Sequence, residues 1–103
     1  MTKALALLLV LTVSAPAQAQ TYEQEICSAI SRLARAVMQK RQAGATMAEM
    51  MAGKAESPEF QELGETLIVA AFDEPVAGTE EAKQKAVNAF ECASFEACSD
   101  ASP

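Results

Sequence analysis

Three cysteines near the two ends of the chain constrain the fold more than any other feature of this sequence. Cys27 is separated from Cys92 and Cys98 by most of the 103 residues. In an oxidising compartment three cysteines form at most one internal bridge and leave one thiol over. A bridge from Cys27 to either of the others would hold the beginning and the end of the folded chain about 5.5 Å apart between Cα atoms.

The first 19 residues have the pattern of a secretory signal peptide, which would direct the chain to an oxidising compartment. Lys3 precedes an unbroken apolar run, Ala4–Val13, which is too short to span a bilayer. Ser14-Ala15-Pro16 is expected to break this segment before a small-x-small cleavage site that ends at Ala19. We therefore expect cleavage near Ala19, one domain over residues 20–103, and a periplasmic or secreted protein that does not span the membrane.

Apolar spacing predicts that the remaining chain is all-α. Residues 22–42 carry apolar groups at helical spacing, and Gly44 follows where a helix-ending glycine belongs. The spacing places Arg35 and Gln42 on the solvent face. No segment alternates with period two. The predicted buried face of this first helix consists of Ile26, Ile30, Leu33 and Val37.

Capping residues predict one short and two longer helices after the first. Thr46 and Glu49 have the spacing of a capping box, which predicts a short helix over Met47–Ala52. Ser57-Pro58 is a typical helix start, and Asp73-Glu74-Pro75 is expected to end that helix after Phe72. Thr79 is expected to cap the last helix. The predicted buried stripe of the last helix consists of Ala82, Ala86, Ala89, Phe90, Ala93 and Ala97.

The cysteines also select between two arrangements of these helices. If the short helix only turned a corner, Cys27 and the end of the last helix would lie on the order of 20 Å apart. An up-down-up-down path through all four segments brings them together. On a continuous last helix Cys92 projects away from the alanine stripe, whereas Cys98 follows Phe95, where the chain can fold over the bundle end. The residues favour Cys27–Cys98 and leave Cys27–Cys92 open.

Four short motifs resemble a family of small exported bacterial proteins that has no assigned function. Its members carry a cysteine in the first helix, an Arg-x-x-Gly helix end, an aromatic-acidic-x-Pro turn and a C-terminal aromatic-x-x-Cys. The resemblance covers most of residues 20–103; it implies an all-α bundle and a Cys27–Cys98 bridge, and it implies no activity. Cys92 is additional to the pattern. In this chain the motifs are Cys27, Arg41-Gln-Ala-Gly44, Phe72-Asp-Glu-Pro75 and Phe95-Glu-Ala-Cys98.

Composition excludes several classes of function. The chain has no His, which excludes His-based catalytic triads and His-ligated zinc or haem. Fourteen Asp and Glu against eight Lys and Arg give a net charge of −6, which disfavours binding to nucleic acid. There is no Gly-rich phosphate loop. We therefore expect no catalytic residues, no cofactor and no nucleic-acid partner.

One arginine and a methionine cluster are the first candidate functional residues. Arg41, at the end of the first helix, is expected to form a structural ion pair with Asp73 or Glu74; a site for an anionic ligand is the alternative. The methionines lie at helical spacing, which is typical of a core or a partner groove. A Cu(I) site is the weaker alternative for them. These methionines are Met47, Met50 and Met51.

An acidic face along the third helix is the other candidate. It consists of Glu59, Glu62 and Glu65, with Val69 projecting from it and Phe72 at its margin. A solvated face is the simplest interpretation, and docking to a basic protein or to a second copy of the chain is the alternative.

The function expected from these features is non-catalytic protein–protein contact. An inhibitor or immunity-like protein, or an envelope accessory factor, would fit an exported acidic domain of this size. The alternative is an acid- or stress-responsive periplasmic chaperone-like protein.

Overall fold

A computed structural model describes residues 14–101 of the chain, with side chains from Tyr22 onward. Within that range no β-strand occurs, so the predicted all-α class is confirmed. None of the helices described has both the length and the apolarity that crossing a membrane requires. The four helices are α1 (Ser14–Gln42), α2 (Met47–Met51), α3 (Pro58–Phe72) and α4 (Glu80–Ala101).

The end of α1 is set by Gly44, which adopts a φ of 96°. The amide of Ala45 donates to the carbonyl of Lys40 at 3.0 Å, and the amide of Gly44 donates to the carbonyl of Arg41 at 3.1 Å. This pair of bonds is a Schellman motif, which satisfies carbonyls that the helix end would leave free. The positive φ explains why a glycine stands there.

The starts of α3 and α4 follow their predicted caps. The Ser57 hydroxyl accepts from the amide of Phe60 at 3.2 Å, and Pro58 occupies the first helical position. The Thr79 hydroxyl accepts from the amide of Ala82 at 3.1 Å. Each side chain satisfies an amide that has no partner inside the helix.

A capping box starts α2. The Thr46 hydroxyl accepts from the amide of Glu49 at 3.1 Å, and a Glu49 carboxylate oxygen accepts from the amide of Thr46 at 3.0 Å. A backbone hydrogen bond from Thr46 to the Glu49 carboxylate, and after it a hydrogen bond from the Thr46 side chain, lower the pKa of Glu49. The reason is that they stabilise the ionised carboxylate.

We expect α2 to lose this support in acid. Since the pKa of Glu49 is lower in the folded state, its contribution is present above the unfolded pKa and is lost as pH falls through the folded pKa. A carboxyl-carbon NMR titration of the Thr46→Ala variant should show the Glu49 midpoint moved upward from its wild-type position. An unchanged midpoint would contradict the role of the capping box.

The helices follow the predicted up-down-up-down path. Cys27, in the first half of α1, is bonded to Cys98 near the end of α4, so these two helices are antiparallel. Arg41 near the end of α1 contacts Glu74 just after α3, so α1 and α3 are parallel. Between them the chain returns through α2 and residues 52–57.

The small core lies where α1 packs against α3 and α4, and α1 presents a different face to it than predicted. Cys27 and Ser31 are buried, whereas Ile26, which we expected to be central, is 44% exposed. The bridge explains this rotation, because it turns the Cys27 side of α1 toward α4. The core residues are Ala34, Val37, Met38, Leu67, Ile68, Ala71 and Val87.

The buried face of α4 also differs from the prediction. Val87 is 3% exposed, whereas Ala89, Ala93 and Ala97 of the predicted stripe are exposed. Val87 and Cys98 are eleven residues apart and therefore lie within about 20° of each other around a helix. The bridge turns that side toward α1. Moreover, α4 does not fold over after Phe95 but continues through Cys98.

The predicted leader falls mostly outside the described residues, which exclude Ala4–Val13. Ser14–Pro16, where a break was expected, are the first residues of α1, and the segment that they would break lies outside the described residues. Pro16 occupies the first turn, where a helix needs no amide donor. Signal cleavage near Ala19 stays a prediction.

Candidate functional site

The disulfide between Cys27 and Cys98 joins α1 to α4. Its Cα atoms are 5.5 Å apart, and Cys27 is 2% exposed. This is the pairing that the residues favoured and the resemblance implied. Cys92, the alternative partner, is an exposed free thiol.

Arg41 joins the ends of α1 and α3, but not through the predicted ion pair. Its Nε and Nη2 atoms donate to the backbone carbonyl oxygen of Glu74 at 3.2 and 3.0 Å. The guanidinium lies 4.3 Å from the centre of the Phe72 ring. The carboxylates of Asp73 and Glu74 are not its partners, because the carbonyls just beyond a helix end lack donors and attract a cation.

Gln42 is a structural residue that sequence analysis placed on the wrong face. It is 3% exposed. Its Nε2 atom donates to the carbonyl of Pro75 at 3.0 Å, and its Oε1 atom accepts from the amide of Ala77 at 2.9 Å. One side chain therefore satisfies two backbone groups of the connection between α3 and α4.

Arg35, also expected on the solvent face, reaches α4. Its Nη1 atom lies 3.0 Å from Asn88 Oδ1 and 3.5 Å from Glu91 Oε1. The side chains of the Arg35–Glu91 ion pair are about one-third exposed. We therefore expect the pair to orient the two helices more than it stabilises the fold.

The methionines of α2 serve packing. Met50 and Met51 are half-buried and pack against the core, whereas Met47 is 38% exposed. Among the residues described, no group of three or more His, Cys, Asp or Glu could hold a metal ion.

The acidic face along α3 is present as a surface. Glu59, Glu62 and Glu65 are exposed, and Val69 is 51% exposed among them. Phe72 is half-buried, and Arg41 covers one face of its ring. The surface therefore consists of a row of three carboxylates and, one turn beyond Glu65, the apolar side chain of Val69. We call these four residues the acidic face.

A groove between α1 and α3, with a volume of about 460 Å³, was not foreseen from the sequence. Val37 and Ile68 form its floor, and the chain after α2 borders it. Its volume lies within the range of roughly 300–1,000 Å³ that binding pockets occupy. Its α1 wall carries Leu33, Ala36 and Lys40, its α3 wall Phe60, Gly64 and Glu65, and its border Met50, Lys54 and Glu56.

Gly64 lies on the α3 wall of the groove, and nothing in the described part of the chain requires a glycine there. A Cβ atom built on Gly64 would meet no atom within 4 Å, and Gly64 has no positive φ. A glycine inside a helix costs about 0.5–1 kcal/mol relative to alanine. This glycine, together with the half-exposed Phe60 one turn before it, was the sequence signal of the groove.

The Gly64→Ala variant is expected to be more stable than the wild type by about 0.5–1 kcal/mol, because the helix gains an alanine without a clash. Urea unfolding followed by circular dichroism measures this difference. A loss of stability would show that the wall of the groove is tighter than described.

No protein-family model matches this chain, and no curated protein or solved structure is significantly similar to it. The resemblance to small exported bacterial proteins therefore stays a prediction. The surfaces described above carry the functional argument.

Proposed function

We propose that this protein is a non-catalytic exported binding protein that docks its acidic face onto a basic surface of a partner protein. The role would be that of an inhibitor or immunity-like protein, or of an envelope accessory factor. One observation carries the proposal: the exposed Glu59, Glu62 and Glu65 follow one another along α3 and lead to the half-exposed Val69. None of these carboxylates forms an ion pair with a Lys or Arg of the described residues.

The composition of this surface suits recognition of a cationic protein. Interfaces commonly combine apolar contacts with polar ones, and this surface offers Val69 next to a row of carboxylates. Complementary charge raises the rate of association and excludes partners of the wrong sign. The net charge of −6 adds a long-range attraction toward a basic partner.

Affinity capture from the native envelope tests the proposal. The disulfide-bonded protein should retain a basic partner at low salt and release it as ionic strength rises, because salt screens exposed charges. The Glu59→Lys/Glu62→Lys variant should lose that partner. The matched control is Glu81→Lys/Glu96→Lys, which makes the same change of charge at exposed positions of α4.

The outcome depends on the comparison between the two variants. Loss of the partner with the α3 variant and its retention with the α4 variant would support docking by the acidic face. Equal retention, equal loss or the absence of any retained partner would contradict it.

A chaperone-like role in acid is the second candidate function. It is favoured by Phe60 and Val69, each 51% exposed, beside the carboxylates of α3. Protonation of those carboxylates would remove charge around apolar side chains and create a surface for unfolded proteins. Between about pH 2 and 4 the protein should bind an apolar dye and suppress aggregation of a client protein. If it does neither, this role is discarded.

A further inference from the structure

We infer that a second copy of this chain occupies the groove between α1 and α3, so that the protein forms an antiparallel homodimer. The N-terminal half of α1 in each copy, through Tyr22 and Ile26, fills the groove of the other. This inference goes beyond the proposed function, because it concerns the groove and α1, which share only Glu65 with the acidic face.

An apolar strip on α1 runs from the exposed Tyr22 into the groove. Tyr22 is 67% exposed and Ile26 is 44% exposed. Farther along the same strip, Leu33 and Ala36 line the α1 wall of the groove. These positions and Ala29 fall within about 80° of one another around the helix, on the side away from Cys27. Half of the strip thus lines a groove and the other half has no cover among the described residues.

The two halves are complementary in size. The exposed half of the strip carries the large side chains of Tyr22 and Ile26. The groove half carries small residues on facing walls, Ala36 on α1 and Gly64 on α3. Small residues let another helix approach closely. The open space at Gly64, which nothing in the single chain requires, is explained if the partner helix lies against it.

The two halves are also complementary in charge. Glu23 and Glu25 flank the exposed half of the strip, whereas Lys40 and Lys54 border the groove. Neither lysine forms an ion pair within the described residues. Glu65, on the α3 wall, accepts a hydrogen bond from Gln61 at 3.0 Å, and Glu56 lies on the same border as Lys54. Lys40 is the charged residue of the α1 wall, so the α1 side of the groove is the cationic side.

Only the antiparallel arrangement uses this complementarity. A two-fold axis at the level of residue 31 places Tyr22 of one copy opposite Lys40 of the other and Ile26 opposite Ala36, since the residues of each pair are equally far from the axis. Glu25 then lies about one turn from the other copy's Lys40, and each pairing occurs twice. A parallel pair would align Glu25 with Glu25 and Lys40 with Lys40. A chain cleaved after Ala19 retains every residue involved.

The first test is the oligomeric state of the disulfide-bonded protein. Sedimentation equilibrium of the Cys92→Ser protein, in which intermolecular disulfides at the exposed thiol cannot form, should show a monomer–dimer equilibrium. Gly64→Leu should weaken the dimer at least tenfold, because leucine fills the groove. Circular dichroism and mapping of the Cys27–Cys98 bridge check that this variant folds. A folded monomer at all concentrations up to about 1 mM, or a dimer unaffected by Gly64→Leu, would overturn the inference.

The second test identifies the arrangement through a charge exchange. Glu25→Lys and Lys40→Glu, each alone, should weaken the dimer about tenfold, because each change acts at two symmetric places. The double variant should restore the affinity, since the exchanged charges meet again. Glu62→Lys, on the acidic face, is the matched control and should leave the dimer unchanged. Double-variant protein as weak as the single variants would overturn the antiparallel register.

Discussion

Replacing both Cys27 and Cys98 with alanine is expected to lower the free energy of unfolding by about 4 kcal/mol. The bridge joins residues separated by 71 positions. In the chain-entropy account, closing a loop of that size lowers the conformational entropy of the unfolded chain and so stabilises the folded state. Net stabilities of domains are only about 5–15 kcal/mol. The core cannot compensate easily, since its largest fully buried side chains are Met38 and Cys27.

Urea unfolding followed by circular dichroism measures this loss. Cys92→Ser is the matched control, because the Cys92 thiol is exposed and unbridged; it should change the free energy of unfolding by less than about 0.5 kcal/mol. A double-alanine variant as stable as the wild type would show that helix packing alone holds α1 against α4.

The Gln42→Ala variant is expected to lower the free energy of unfolding by about 3 kcal/mol, because it leaves two backbone groups without partners. The amide of Ala77 would lose its acceptor and the carbonyl of Pro75 its donor. Gln42 is 3% exposed, so water cannot easily replace the lost bonds.

The same unfolding measurement applies to this variant. Gln39→Ala is the control, since Gln39 is an exposed glutamine of the same helix, and its effect should stay within about 0.5 kcal/mol. Equal effects of the two substitutions would mean that Gln42 does not organise the connection between α3 and α4.

The helix ends could be predicted from the sequence because their causes are local. Gly44, Thr46, Ser57 and Thr79 act on backbone groups within a few residues of themselves, and the structure places helix ends beside each of them. The up-down-up-down path of the helices could also be predicted, because only this path brings Cys27 next to the end of the last helix.

The rotation of each helix about its axis could not be predicted in the same way. Both α1 and α4 carry apolar residues on more than one side, so spacing alone pointed to Ile26 and to the alanines of α4. The bridge, a contact between distant positions, turned Cys27 and Val87 inward instead.

The partners of Arg41 and Gln42 depend on positions more than thirty residues away. Both side chains bind backbone groups, at Glu74, Pro75 and Ala77, which no pattern of residue types reveals. The groove is non-local for the same reason, since its walls come from α1 and α3. Gly64 and Phe60 were its only signs in the sequence.

The covalent link between α1 and α4 also determines what happens when the chain is cut. The segment from residue 52 to residue 57 is irregular and mostly exposed, which is typical of sites that proteases nick. Because this segment lies between Cys27 and Cys98, a single cleavage there would leave both fragments attached to each other. In a compartment rich in proteases, a chain cleaved once in this segment would remain a single disulfide-linked molecule. Its two fragments would separate only under reducing conditions.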